Sequence, residues 1–211
     1  MESQDFLDLS SRFLLPQEVE TDCFVAGVDE VGRGCLFGPV VAAAVVFPLS
    51  VLPALVDLGV RDSKKLSPKR REALTLSIIE LATSYSIGYA KAREIDRINI
   101  LQASLWAMSR AVKKLKVPPD FCLVDGKWPI PDLAVPQNLL IKGDERSPVI
   151  GAASIVAKVW RDDLIRNWSP KYPGYDLAVN KGYGTRKHLE ALKIHGATSQ
   201  HRLSFRPCRM S

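Results

Sequence analysis

Asp29 and Glu30 stand side by side at the end of the apolar run "CFVAGV", and an arginine between glycines, Gly32-Arg33-Gly34, follows two residues later. Two more apolar runs reach an acid in the same manner, "FCLVDG" at Asp125 and "NLLIKGD" at Asp144. If these runs are parallel strands, their C-terminal ends meet along one edge of a sheet, where α/β folds hold their ligands. Four carboxylates gathered there repel one another unless a positive charge sits among them. A hard divalent cation such as Mg²⁺ fits, because it takes oxygen ligands from a few carboxylates, water and a substrate phosphate. Two such ions about 3.5–4 Å apart would activate a water and stabilise the leaving oxygen of a phosphodiester. Two considerations weigh against this. A lone Asp before Gly is commonly a turn residue bonded to its own backbone. Consecutive strand residues also point to opposite faces, so Asp29 and Glu30 converge only if the pleat breaks at Glu30.

The elements that must position these acids are legible in outline. "CFVAGVDEV" and "VVAAAVVF" read as two strands joined by a Gly/Pro-rich turn, a hairpin. Ser67-Pro68 is an N-cap signature, and Leu74, Ile78, Leu81 and Tyr85 follow at helical spacing. "SYSIGYAKA" is either the end of that helix or a third strand, and its alternation favours the strand. Asn99 caps a long helix with the stripe Leu101, Leu105, Met108, Val112 and Leu115. Ser147-Pro148 repeats the cap signature before "VIGAASIVAKVWRDDLI", whose small residues suggest close packing on a sheet. Thr185 caps a last helix ending at Gly196. A hairpin followed by strands alternating with helices predicts a mixed α/β sheet.

The 211 residues suit one domain with an ordinary core, at 46% hydrophobic. The acids of residues 1–22 and the lack of a long apolar run argue against secretion and a membrane span, so a cytoplasmic location is expected. Four cysteines without ligand-like spacing read as reduced thiols. Net charge is +6, and from Asn180 to the end seven Lys/Arg face one acid, Glu190, which suits a polyanionic partner or a solvated basic face alike.

Several longer blocks resemble, in order, those of the ribonuclease HII family: "GVDEVGRG", "DSKKLSPKRRE", "INILQAS", "LVDG", "KGD" with "AASIVAKVWRD", "YPGYD", "KGYGT" and "HRLSF". The resemblance spans roughly residues 24–207. It implies a ribonuclease H-like mixed sheet of about five strands flanked by helices, with a C-terminal helical segment. It sets residues 1–22 apart as an extension and makes 23–211 one catalytic domain. It implies an endonuclease, acting as a monomer, that cuts the RNA strand of RNA–DNA hybrids and incises duplex DNA 5′ to embedded ribonucleotides, as in ribonucleotide excision repair. Carried over by motif, Asp29, Glu30, Asp125 and Asp144 would hold Mg²⁺ or Mn²⁺, two ions in the active complex. Gly32, Arg33 and Gly34 would read the 2′-hydroxyl at the RNA–DNA junction. Tyr183 would pack on the deoxyribose that follows. Asn99 and Gln102, three apart at a helix start, could meet backbone phosphates, although simple capping by Asn99 serves equally well. Lys64, Lys65 and Lys142 are further phosphate contacts or merely solvated charges.

The chain departs from the family pattern where "GRGPLAGP" becomes "GRGCLFGP", with Cys35 and Phe37 in the turn. Asp162 and Asp163 lie too far along their helix to join the acids and read as structural, Asp162 pairing with a nearby arginine. "QHRLSF" loosely resembles a sliding-clamp-binding peptide, but the family block already accounts for it, so no protein partner is assigned. Two other readings stand beside this one. A different nuclease of the same fold, such as a type III ribonuclease H, would lack the arginine of the G-R-G loop. A non-catalytic basic nucleic-acid-binding protein would explain the tail but leave the acids without purpose.

Overall fold

The computed structural model describes residues 22–60 and 66–209. Strand β1 (Phe24–Val31) turns back through the Gly32–Pro39 loop into β2 (Val40–Pro48), the hairpin that the alternation predicts. Helix α1 (Leu52–Asp57) and helix α2 (Pro68–Leu81) follow, and Ser67 Oγ accepts the Arg70 N–H as an N-cap. The helix stops at Leu81, so Tyr85 belongs to the next strand, β3 (Ser84–Ala90), as the alternation of that segment favours.

Helix α3 (Ala92–Lys113) begins a full two turns earlier than expected and kinks at Asn99, which sits at φ 70°. Asn99 Oδ1 accepts the Leu101 and Gln102 N–H groups, so it caps the second half of the helix after all. Strands β4 (Phe121–Asp125) and β5 (Gln137–Leu140) complete a five-stranded sheet of order β3-β2-β1-β4-β5. β1, β4 and β5 run parallel, and β2 and β3 are antiparallel. Short α4 (Gly143–Arg146) leads into α5 (Pro148–Trp168), and α6 (Leu177–Asn180), α7 (Arg186–His195) and α8 (Arg206–Arg209) form the C-terminal part. Thr185 Oγ1 caps α7 by accepting the His188 N–H. Ser147 does not cap α5 with its side chain: its hydroxyl is buried without a partner among the described residues.

Alternate strand residues feed two cores. Val25, Val45, Phe47 and Leu123 pack with α1, α2 and α5 on one face, whereas Ala26, Val28, Ala44, Cys122 and Val124 pack with α3 on the other. Gly27 lets α5 approach β1, since a Cβ there would sit 2.0 Å from the Val149 carbonyl oxygen. A third cluster joins the Gly32–Pro39 loop to the C-terminal helices through Leu36, Phe37, Ile165, Tyr175 and Leu192. Among the described residues no helix is long and apolar enough to cross a membrane.

Candidate active site

The parallel ends of β1 and β4 bring three of the four expected acids together. One carboxylate oxygen from each of Asp29, Glu30 and Asp125 lies within 4.8 Å of the others. Their convergence needs no break in the pleat, because β1 stays in register with β2 through Val31. Asp29 and Asp125 share the α5 face by alternation. Glu30 belongs to the other face by parity, but it lies past the last β1–β4 pair, Val28–Val124, at the rim of the sheet. There a longer side chain reaches round the strand end. Asp29 Oδ1 curls back to accept the Glu30 N–H at 2.7 Å.

Asp144 differs from the expectation in place. β5 ends at Leu140, and Asp144 lies in the first turn of α4, buried rather than at a strand end. The chain bends there because Lys142 takes a left-handed conformation, φ 56°, and the following Gly143 N–H donates to Asp125 Oδ1 at 2.7 Å. Asp144 therefore stands behind the three converging acids, close enough to disfavour ionisation of Asp29.

The electrostatics are those of crowded, buried acids. Asp29 is 5% exposed, and its carboxyl is held well above the usual range, first by burial, then by Glu30 and Asp125. A hydrogen bond from Ser154 on α5 opposes that shift. Glu30 is raised by burial, against the pull of Arg33, whose Nη1 lies 3.0 Å from Glu30 Oε1. The donor set fits a hard divalent cation: three carboxylates in reach of one point, all oxygen, with an open side toward solvent.

That open side is a cleft of about 270 Å³, walled by the acids, Gly32–Gly34, Ser154, Lys158 and Tyr183. Gly32 sits at φ 88°, and a Cβ on it would meet the Arg161 Nε at 2.2 Å. Arg161, fully buried, donates to the carbonyls of Pro39, Lys181 and Phe37. Arg202, also fully buried, donates to those of Gly38 and Arg33. Two guanidinium groups thus hold the carbonyls of the loop inward. Cys35 and Phe37 are both absorbed by packing. Cys35 is buried, bridges to Tyr183 and directs its thiol toward the Lys181 carbonyl at 3.8 Å. Phe37 meets Tyr172 and His201 edge-on at 5.0 Å.

Tyr183 stands at the cleft with Lys158 Nζ 5.4 Å from its ring centre, and burial pushes its phenol up to about 12. Asn99, Gln102 and Lys142 are exposed but do not wall this cleft, and Lys64 and Lys65 lie outside the described residues. Sequence reasoning missed Ser154 and Lys158. Both lie on one stripe of α5, four apart, a spacing that points them the same way once the helix is known to pack over β1. Asp162 pairs with Lys158, at 2.9 Å, rather than with an arginine, and Asp163 pairs with Arg166. Within the "QHRLSF" segment His201 and Arg202 are buried, whereas Leu203 is 52% exposed.

A mixed sheet that collects carboxylates at its parallel edge, with helices on both faces, places the chain among the ribonuclease H-like α/β folds. Comparison with known proteins narrows this. The sequence model of the family "Ribonuclease HII" matches residues 26–208. A ribonuclease HII of Trichormus variabilis is 62% identical over 187 residues, 89% of this chain and 83% of that protein. The crystal structure of a ribonuclease H2 from Pyrococcus horikoshii superposes with a TM-score of 0.75 at 27% identity, covering 89% of this chain and 96% of the other. A structure of the PCNA–RNase HII complex from Archaeoglobus fulgidus matches at 0.68 and 29% identity, covering 85% and 92%. The chain belongs to the ribonuclease HII family, and it is a nuclease of the ribonuclease H class.

Proposed function

We propose that the protein hydrolyses the RNA strand of RNA–DNA hybrids and incises duplex DNA on the 5′ side of an embedded ribonucleotide, leaving 3′-hydroxyl and 5′-phosphate ends. The observation that carries this reading is the meeting of Asp29, Glu30 and Asp125 within 4.8 Å on the rim that also bears the Gly32-Arg33-Gly34 loop. These three acids, with Asp144 behind them, would hold Mg²⁺ or Mn²⁺. When bound, such ions lower the pKa of water and offset charge on the reacting phosphate.

The residues of the chain do the rest. Ser154 holds Asp29 in place, and the Gly143 N–H holds Asp125. Gly34 leaves room for a sugar, since nothing lies within 4 Å of where its Cβ would be. A backbone this bare can come close to a ribose, and the 2′-hydroxyl is the group that marks RNA. Arg33 is half exposed and is held at the cleft mouth by Glu30. The Tyr183 ring, backed by Cys35, forms a platform for the next deoxyribose and rejects a second 2′-hydroxyl. Lys158 supplies positive charge where a phosphate would lie. The 2′-hydroxyl is read, not used as nucleophile.

The test is a DNA duplex carrying one ribonucleotide, incubated with the protein with and without Mg²⁺ or Mn²⁺. The expected result is metal-dependent incision 5′ to the ribonucleotide, absent from an all-DNA duplex. Asp125→Asn should lower the rate by at least about 100-fold, the scale of losing one preorganised electrostatic group. Cyclic-phosphate products, or binding without any cut, would sink the reading.

A further inference from the structure

Behind Tyr183, two of the chain's histidines face each other in the core. His188 is 0% exposed and His201 1%, and their Nε2 atoms lie 3.1 Å apart. A pair of ring nitrogens at that distance shares one hydrogen: one nitrogen donates it and the other must be bare. The groups at the two ends decide which. The backbone N–H of Thr198, which can only donate, lies 2.9 Å from His201 Nδ1. His201 is therefore bare at Nδ1 and carries its hydrogen on Nε2, which donates to His188 Nε2. His188 in turn carries its hydrogen on Nδ1, which donates to the Tyr183 carbonyl oxygen at 2.9 Å, a group that can only accept. The direction runs one way, from Thr198 through both rings to Tyr183.

We propose that His188 and His201 are positioning residues for Tyr183, a head-to-tail pair with one hydrogen on each ring that clamps the tyrosine backbone and so aims its ring at the cleft. The proposal rests on the reading of Tyr183 as the sugar platform. The Tyr183 carbonyl shares its acceptance with the Thr185 N–H at 2.8 Å, and the other end of that backbone unit is fixed because the Tyr183 N–H donates to the Asn180 carbonyl at 2.9 Å. With both ends held and Cys35 bridged alongside, the ring's direction is set by the core rather than by the exposed surface.

An added proton breaks the chain wherever it lands. On His201 Nδ1 it displaces the Thr198 N–H and is left with the Thr198 hydroxyl oxygen, 2.9 Å away, as its acceptor, and on His188 Nε2 it faces the His201 N–H. The surroundings give such a proton no counter-charge. The rings pack on Tyr175, with centroids at 6.0 Å and 4.8 Å, and on Phe37. The Tyr175 hydroxyl donates to the Gly196 carbonyl. His195 lies on Tyr175 too, and the Arg202 guanidinium is turned to the Arg33 and Gly38 carbonyls. Burial and the mutual effect of the rings push His201 down to about 4.

The test compares His188→Leu, His188→Gln and Tyr183→Ala in the full chain. Each variant is assayed on duplexes in which the ribonucleotide is followed by a deoxynucleotide or by a second ribonucleotide. The readout is the ratio of kcat/KM for the two. His188→Leu is expected to lower that ratio about tenfold, the scale of one lost hydrogen bond. His188→Gln should restore it, since a Gln amide accepts from His201 and donates to Tyr183 as the imidazole does. A ratio unchanged in His188→Leu but collapsed in Tyr183→Ala overturns this proposal alone. A ratio unchanged in Tyr183→Ala removes the platform reading and this proposal with it. Nitrogen NMR of the wild type gives a second arm that needs no variant to fold: His188 should carry its hydrogen on Nδ1 and His201 on Nε2. The opposite tautomers would overturn it.

Discussion

Two glycines of the G-R-G loop have different physical duties, and substitution separates them. Gly32 needs a positive φ and has the Arg161 side chain 2.2 Å from any Cβ, so its duty is structural. Gly32→Ala should therefore destabilise the protein by about 1–3 kcal/mol, from strain and overpacking together. Gly34 has neither constraint, having open space where its Cβ would be. Gly34→Ala should leave the melting temperature where it is and yet slow incision at a ribonucleotide by at least about tenfold, because only the approaching sugar meets the new methyl. Thermal melting and the single-ribonucleotide assay on the same two variants check both statements. Equal damage to stability in the two would contradict the assignment of Gly34 to substrate.

At the scale of elements, the turn between β1 and β2 is held from below by α5 and from the side by the C-terminal segment. Arg161 reaches three carbonyls from one planar fork, and it has no carboxylate within that set of bonds. Removing it leaves two buried acceptors, the carbonyls of Pro39 and Phe37, without this donor, each costing on the order of 1–3 kcal/mol, and weakens the hold on the part-buried Lys181 carbonyl. Arg161→Met should lower stability by at least about 3 kcal/mol by denaturant unfolding. Arg161→Lys should recover little of that loss, since an ammonium at that depth cannot match the fork. A variant that unfolds like wild type would show that the loop stands without the arginine. The same helix carries Ser154 and Lys158 to the cleft, so α5 both supports the loop and supplies part of the site.

For the molecule as a whole, the buried histidine pair ties the C-terminal part to acid stability. His201 has a value of about 4 in the folded protein against 6.5 for a free histidine. The unfolded chain thus binds more protons between those values, and stability is lost as pH falls from about 6.5 to 4, being complete above that window. The slope from this one group is about 1.4 kcal/mol per pH unit inside the window. Asp29 works the other way, because its raised value makes protonation at low pH a relief in the folded state. The difference in unfolding free energy between wild type and His188→Gln, followed from pH 7 downward, isolates His188, which burial also pushes down, because His201 remains in both. It should narrow or reverse as the pH falls; parallel curves would count against a buried, neutral His188.

Much of this was legible in the chain itself. Strand periodicity and the run of each strand into an acid determined that β1 and β4 carry carboxylates near their C-terminal ends, and the cap signatures at Ser67 and Thr185 determined where two helices begin. Both are local signals, set by residues within a few positions of one another. The motif order was enough for family membership. What only the tertiary structure decided is which groups meet. Glu30 joins Asp29 because the β1–β4 pairing stops at Val28, and no feature of the strand's own pattern announces that end. Asp144 sits behind the acids in a helical turn because Lys142 adopts a left-handed conformation, which no residue preference requires of a lysine. Ser154, Lys158, the two buried arginines and the His188–His201 contact come from segments far apart in sequence. Their chemistry depends on distances of a few ångströms, and such distances exist only once the sheet, α5 and the C-terminal helices have closed around one loop.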